Sequence, residues 1–151
     1  MTGYSFIVPG PPTGKQRPRF VRATGRAFTP KPTVLAESRV LNAWMAAGAQ
    51  RIESAVKIRI HAVLERPASH YRVNGELTAA GRRAEWPTKK PDADNLCKLV
   101  CDALNGHAYR DDAFVVSLAV GKRWALPHEQ EHLHVHIAAV DSVSREEWYA
   151  A

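Results

Sequence analysis

Lys90-Pro91-Asp92-Ala93-Asp94-Asn95-Leu96-Cys97-Lys98, followed by Asp102-Ala103-Leu104-Asn105-Gly106 and then Asp111-Asp112, is the stretch on which the reading of this chain turns. Leu96, Leu99, Val100, Ala103 and Leu104 recur at helical spacing, and Asn105-Gly106 supplies a stop, with Gly able to take positive φ. The pattern predicts a helix from Asp92 to about Asn105. On that helix Asp94, Lys98 and Asp102 stand at i, i+4 and i+8 and share one face. Five carboxylates fall within 21 residues of a chain that is otherwise basic. Carboxylates gathered together raise one another's pKa, so a fold that collects them compensates with a cation. The compensators here are Lys98 and a divalent metal, and hard oxygen ligands of this type suit Mg²⁺ or Mn²⁺.

A plainer reading fits the same residues. Asp92 or Asp94 caps the helix, where free N–H groups and the dipole favour a carboxylate. Asp94, Lys98 and Asp102 then form a solvated, salt-bridged face, and Asp111-Asp112 is a turn. Three features favour the metal reading. Asp92 and Asp94 sit together at the helix start. Asp111-Asp112 directly precedes a β-rich run, and the segment is entered from a basic loop ending in Lys89-Lys90. Spacing leaves both readings open.

Around this centre the chain reads as one domain. Tyr4–Val8 is a short strand closed by Pro9-Gly10-Pro11-Pro12. Residues 13–32 form a loop rich in Gly, Pro and Arg, with a small hairpin of 20–22 and 26–29 about Ala23-Thr24-Gly25. Thr33 to about Arg51 is a helix capped by Thr33, with an apolar stripe of Val34, Leu41, Trp44 and Met45 edged by Leu35 and Val40. Residues 55–64 alternate and predict a half-buried strand. Residues 66–90 lack a period, and loops this long in compact domains are often functional. Residues 113–124 are β-rich, and 131–138 alternate strictly, so the last two strands are expected to pair. The order β-α-β-α-β-β predicts an α/β (α+β) domain, a mixed sheet covered by two main helices. Ser144, with Glu147 three residues on, caps a short C-terminal helix over 142–151.

Length and composition agree. The 151 residues, 45% of them hydrophobic, suit a single globular domain. No apolar run approaches the roughly 20 residues needed to span a bilayer, and the N-terminus lacks signal-peptide features, so no membrane partner is expected. Cys97 and Cys101, at i,i+4, read as helix-packing thiols of a reducing compartment. Charge is segregated. Residues 9–32 hold Lys15, Arg17, Arg19, Arg22, Arg26 and Lys31 and no acid. Residues 66–90 hold Arg66, Arg72, Arg82, Arg83, Lys89 and Lys90 against Glu76 and Glu85. These two loops carry +10 while the rest of the chain carries −4, for a net +6. A basic rim about an acidic centre is what a phosphodiester-cleaving enzyme requires: cations to hold the backbone, carboxylates to hold metal. Trp86, Tyr71 and Phe20 are candidates for stacking on opened bases. Two other classes compete: a DNA-binding protein that keeps this fold without catalysis, and a metal-dependent phosphoesterase of small nucleotides. Carboxylates near phosphates argue against the first, and ten net positive charges in loops argue against the second.

The Pro91-Asp92-Ala93-Asp94-Asn95-Leu96-Cys97-Lys98 string, the Asp102–Gly106 block and Asp111-Asp112 together resemble the RusA family of Holliday-junction resolvases. Val8-Pro9-Gly10-Pro11-Pro12 and Lys15-Gln16-Arg17-Pro18-Arg19-Phe20 resemble the form found in phage and prophage members. The resemblance covers about residues 4–125. It implies an Mg²⁺-dependent endodeoxyribonuclease, dimeric and acting on four-way DNA junctions by paired symmetric nicks, in the cytoplasm of a bacterial host or phage-infected cell. Carried over by motif position, Asp92, Asp94 and Asp112 are the metal-binding acids and Lys98 the catalytic lysine, with Asp111 a weaker candidate. Lys15, Arg17, Arg19, Lys89 and Lys90 are the expected DNA contacts. A junction offers two equivalent strands to one acidic site per chain, so a C2 homodimer is expected. His132, His134 and His136 lie outside the motif. They read as a solvent-facing stripe on an edge strand, with a soft-metal site as the alternative.

Overall fold

The computed structural model describes residues 2–140; the predicted C-terminal helix lies outside them. Four strands form one mixed sheet: β1 (Gly3–Pro9), β4 (Val56–Leu64), β5 (Val115–Trp124) and β6 (His132–Ala139), in the order β1-β6-β4-β5. Two short strands, β2 (Arg19–Val21) and β3 (Arg26–Phe28), make the separate hairpin that the sequence predicts. Helices α1 (Lys31–Ala46) and α3 (Ala93–Leu104) pack on each other, α1 against β1 and α3 against β5. The α+β single-domain architecture is the expected one.

The pairing of the last strands is not. β6 runs antiparallel to both β1 and β4, while β5 pairs with β4 in parallel. A parallel pair requires a long crossover, which residues 65–114 with α3 provide. The chain then passes β4's end, where the Ala125 N–H donates to the Leu64 carbonyl at 2.8 Å. Strand alternation reveals a buried face and not a neighbour. β4, with Val56, Ile58, Ile60, Ala62, Val63 and Leu64 all buried, takes an interior place that sequence proximity assigns to nobody. β6 is therefore also interior. Leu133, Val135 and Ile137 enter the core, and the three histidines are half-buried on the opposite face. The edge-strand expectation for His132, His134 and His136 is corrected accordingly. His61 of β4 stands in register with His134, and its ring lies 5.9 Å from that of His136.

The buried stripe of α1 also differs from the prediction. Thr33, Ala36, Val40 and Trp44 are buried, whereas Val34, Leu35 and Met45 are exposed. Trp44 fixes the rotation, meeting Tyr4 and Phe6 edge-to-face at 5.2 and 5.9 Å. Small Ala36 and Thr33 let the helix approach closely. Thr33 is not the cap: Pro30 holds that position without a side-chain bond. The helix stops at Ala46 instead of Arg51, because Gly48 takes φ +65° and closes the end with its N–H on the Met45 carbonyl. For α3 the predicted stripe is the observed one, Leu96, Leu99, Val100, Ala103 and Leu104, and Gly106 takes φ +77°.

Residues 66–90 are locally built. A 3₁₀ turn at Ala68–His70, a bridge between Tyr71 and Leu77, and the short helix α2 (Ala79–Arg83) fold the segment on itself. Arg66 donates to the Gly81 and Ala84 carbonyls at 2.8 and 3.2 Å, and Trp124 Nε1 donates to the Ala84 carbonyl at 2.8 Å. Arg66, part of the basic rim by sequence, thus ties the start of the segment to α2, and Trp124 of β5 holds the segment to the sheet.

Candidate active site

The start of α3 forms one wall of an open cleft, and residues 12–18 form the other. Asp92, Asp94, Asn95, Lys98 and Lys90 face Lys15 and Arg17 across it. Asp92 holds the N-cap position with extended backbone, and its carbonyl accepts the first helical bond from the Leu96 N–H at 3.1 Å. Its carboxylate makes no capping bond, which leaves it free for the cleft, where Lys90 Nζ lies 3.1 Å away. Asp94, in the first turn, pairs with Lys98 at 3.6 Å, and both side chains are well exposed. The helix N-terminus places the partial positive charge of its free N–H groups beside these two acids.

The remaining acids lie elsewhere. Asp102 is bonded by the Lys15 ammonium, not by Lys98, and Glu37 of α1 lies 3.8 Å from the same ammonium. That pairing holds Lys15 above its ordinary pKa. Asp111 caps the 3₁₀ turn Asp112–Phe114, its Oδ1 accepting the Ala113 N–H at 2.7 Å. Asp112 has its pKa raised by burial first, then by Asp102 and Asp111, and lowered by Lys15. Asp112 does not line the cleft that holds Asp92 and Asp94. Eight residues of helix separate Asp94 from Asp102, about 12 Å along the axis. Among the described residues no group of three His, Cys, Asp or Glu side chains is close enough together to hold a metal ion. The donors at the α3 start are hard, solvent-reachable carboxylates, and their chemistry fits a cation of the Mg²⁺ class.

The other predicted contacts are spread over the surroundings of the same cleft. Arg19 begins β2, whose Phe20 is exposed, as is Trp86. Lys89 Nζ lies over the Trp124 ring at 5.3 Å, and Lys122 Nζ donates to the Lys89 and Pro91 carbonyls at 2.7 and 3.0 Å. The Lys15–Asp102–Glu37 cluster is not legible in the sequence. Spacing groups Lys15 with the basic 9–32 loop and Asp102 with Lys98, and only the approach of α1 to α3 brings them together. Cys101 is pushed up to about 11 by burial, and its carbonyl accepts the Tyr109 hydroxyl at 2.6 Å, so both cysteines remain packing groups with free thiols. A second cleft, lined by Gly10, Glu65, Arg66, Tyr71, Glu129 and Glu131, contains none of the acidic-motif residues.

The chain is 30% identical over 145 residues to the uncharacterized protein YqaN of Bacillus subtilis (strain 168), covering 91% of this chain and 96% of that protein. A family model described as endodeoxyribonuclease RusA matches residues 9–137, a span that takes in the cleft, the acidic motif and the sheet apart from most of β1 and the end of β6. The chain therefore belongs to the RusA endodeoxyribonuclease family, a family of Holliday-junction resolvase nucleases.

Proposed function

We propose that this protein is an Mg²⁺-dependent, structure-specific endonuclease that resolves four-way DNA junctions. As a C2 homodimer it makes paired symmetric nicks, serving recombination and repair in the cytoplasm of a bacterial host or phage-infected cell. The observation that carries the proposal is the cleft itself: Asp92, Asp94 and Lys98 on one wall, Arg17 on the other, with solvent access between them. Asp92 and Asp94 would hold the ion from the cleft, and Asp112, the third acid by motif position, lies outside the cleft lining and would have to approach for the ion to take it as a ligand; Mn²⁺ is a substitute of the same hard class. When bound, such an ion supplies positive charge to the scissile phosphate and makes water a stronger acid. Arg17 and Arg19 hold the backbone so that a phosphate faces the acids. Lys98, whose ammonium is well exposed beside Asp94, stabilises the charge that develops on the phosphate oxygens. Phe20 and Trp86 present apolar rings to bases unstacked at a branch point.

A catalytically silent binder of branched DNA is the competing function. Its acids would oppose the phosphates that its arginines attract, a cost that only a bound cation offsets. The test is incubation with synthetic four-way, Y-shaped and linear duplex DNA in Mg²⁺, with mononucleotides alongside, for the wild type and for Asp94→Asn. Symmetric nicking of the four-way junction by the wild type alone, with binding retained or tightened in Asp94→Asn, is the expected result. Binding without nicking by the wild type would establish the silent binder. Undiminished nicking by Asp94→Asn would remove the acidic site from the mechanism.

A further inference from the structure

Residues 10–18 do not hang beside the acidic helix; they are fastened across both main helices. The Lys15 N–H donates to the Asn95 carbonyl at 3.0 Å. The Gln16 N–H donates to the Oγ1 of Thr33 at 3.1 Å, and Thr33 is fully buried inside α1. Gly14 lies so close to α3 that an added Cβ would stand 3.0 Å from the Asn95 Cβ and 3.2 Å from the Pro91 Cβ. Arg39 of α1 reaches the Thr13 hydroxyl at 3.4 Å. At the centre, the Lys15 ammonium lies between Asp102 of α3 and Glu37 of α1. Its side chain is 29% exposed, and those of Asp102 and Glu37 are 35% and 27% exposed. A DNA phosphate could take this ammonium only by displacing two carboxylates that flank it and would repel the phosphate in turn. The lysine's charge is committed within the protein, unlike that of Arg17, which has no carboxylate partner among the described residues and opens on the cleft.

We infer that Lys15 is a positioning residue: its link to Asp102 and Glu37 latches the basic segment onto α1 and α3 and thereby sets Arg17 opposite Asp92 and Asp94. The role assigned to Arg17 rests on the endonuclease reading above; the latch itself does not. Without Lys15, Asp102 and Glu37 lose their shared cation, the segment loosens from the helices, and the phosphate grip loses its register with the acids. Register matters because a displacement of about 1 Å at a reacting group costs on the order of a hundredfold in rate.

The test uses the full chain as Lys15→Met, Lys15→Arg, Asp102→Ala and the Lys15→Met/Asp102→Ala double variant. Amide hydrogen exchange at Lys15 and Gln16, without DNA, reads the latch directly. The expected result is a loss of protection of about tenfold or more in Lys15→Met and in Asp102→Ala, no further loss in the double variant, and protection kept in Lys15→Arg. With four-way junctions in Mg²⁺, kcat should fall in parallel while the salt dependence of binding stays that of the wild type. Unchanged protection of both amides would overturn the latch. So would a salt slope lowered by about one in Lys15→Met but not in Asp102→Ala, the mark of a direct phosphate contact. If the exchange pattern is as expected and the wild type cuts no junction, the latch stands and the endonuclease reading alone falls.

Discussion

Replacing Lys98 by Met separates chemistry from architecture in a single variant. The ammonium stands 3.6 Å from Asp94 Oδ2, in an i,i+4 pair whose side chains are 64% and 70% exposed. Exposed helix pairs of this kind contribute about 0.3–0.5 kcal/mol, and Met is nearly as good a helix former as Lys. In a chain of this size 1 kcal/mol moves Tm by about 2–4 °C, so the variant should melt within about 1–2 °C of the wild type. Asp102, the other acid on this face, draws its cation from Lys15, so its environment is left intact. If Lys98 stabilises charge that develops on the phosphate, junction cleavage should nevertheless fall by about 10²–10³-fold. Thermal unfolding followed by circular dichroism and single-turnover cleavage of a labelled four-way junction measure the two quantities on one preparation. Cleavage within about threefold of the wild type would refute the role, being far short of what removing a charge-stabilising group costs. A Tm lowered by more than about 5 °C would refute the reasoning that makes the pair peripheral.

Further outcomes follow from the same geometry. Arg17→Ala/Arg19→Ala should flatten the dependence of log K on log salt by about one unit for each phosphate no longer neutralised, read by fluorescence anisotropy on junction DNA; an unchanged slope would place the DNA-binding surface elsewhere. Gly81→Ala would bring a Cβ to 2.5 Å from the backbone oxygen of His70, so the variant should lose about 1–3 kcal/mol by urea unfolding, and a neutral effect would show that the 66–90 segment yields freely. Burial first, then His136, His61 and His132 for His134, and His61 and Arg59 for His136, depress both below the usual 6.5. The folded state therefore binds fewer protons than the unfolded one, and the contribution present above pH 6.5 is lost as pH falls through the depressed values. His134→Gln/His136→Gln should make the urea midpoint fall less between about pH 7.5 and pH 5 than in the wild type, and an equal fall would assign the acid sensitivity to other groups.

Much of this protein is legible in its sequence because local periodicity is a local property. The α3 stripe from Leu96 to Leu104, the stop at Gly106, the alternation of β4 and β6 and the 20–28 hairpin all follow from spacing that needs no distant partner. So does the pairing of Asp94 with Lys98, which one helical turn brings together. What only the tertiary structure decides is everything that depends on which element lies beside which. Alternation marks a strand's buried face and is silent on its neighbour, so the interior place of β6 is invisible in the sequence, and with it the setting of the three histidines. The rotation of α1 follows from Trp44 wedging against Tyr4 and Phe6, a packing that overrides the number of large apolar side chains and leaves Val34, Leu35 and Met45 in solvent. The partner of Asp102 stays open for the same reason. On an isolated helix Lys98 is its nearest cation, and only the packing of α1 on α3, with residues 10–18 fastened across them, brings Lys15 to it from 87 positions away in the chain.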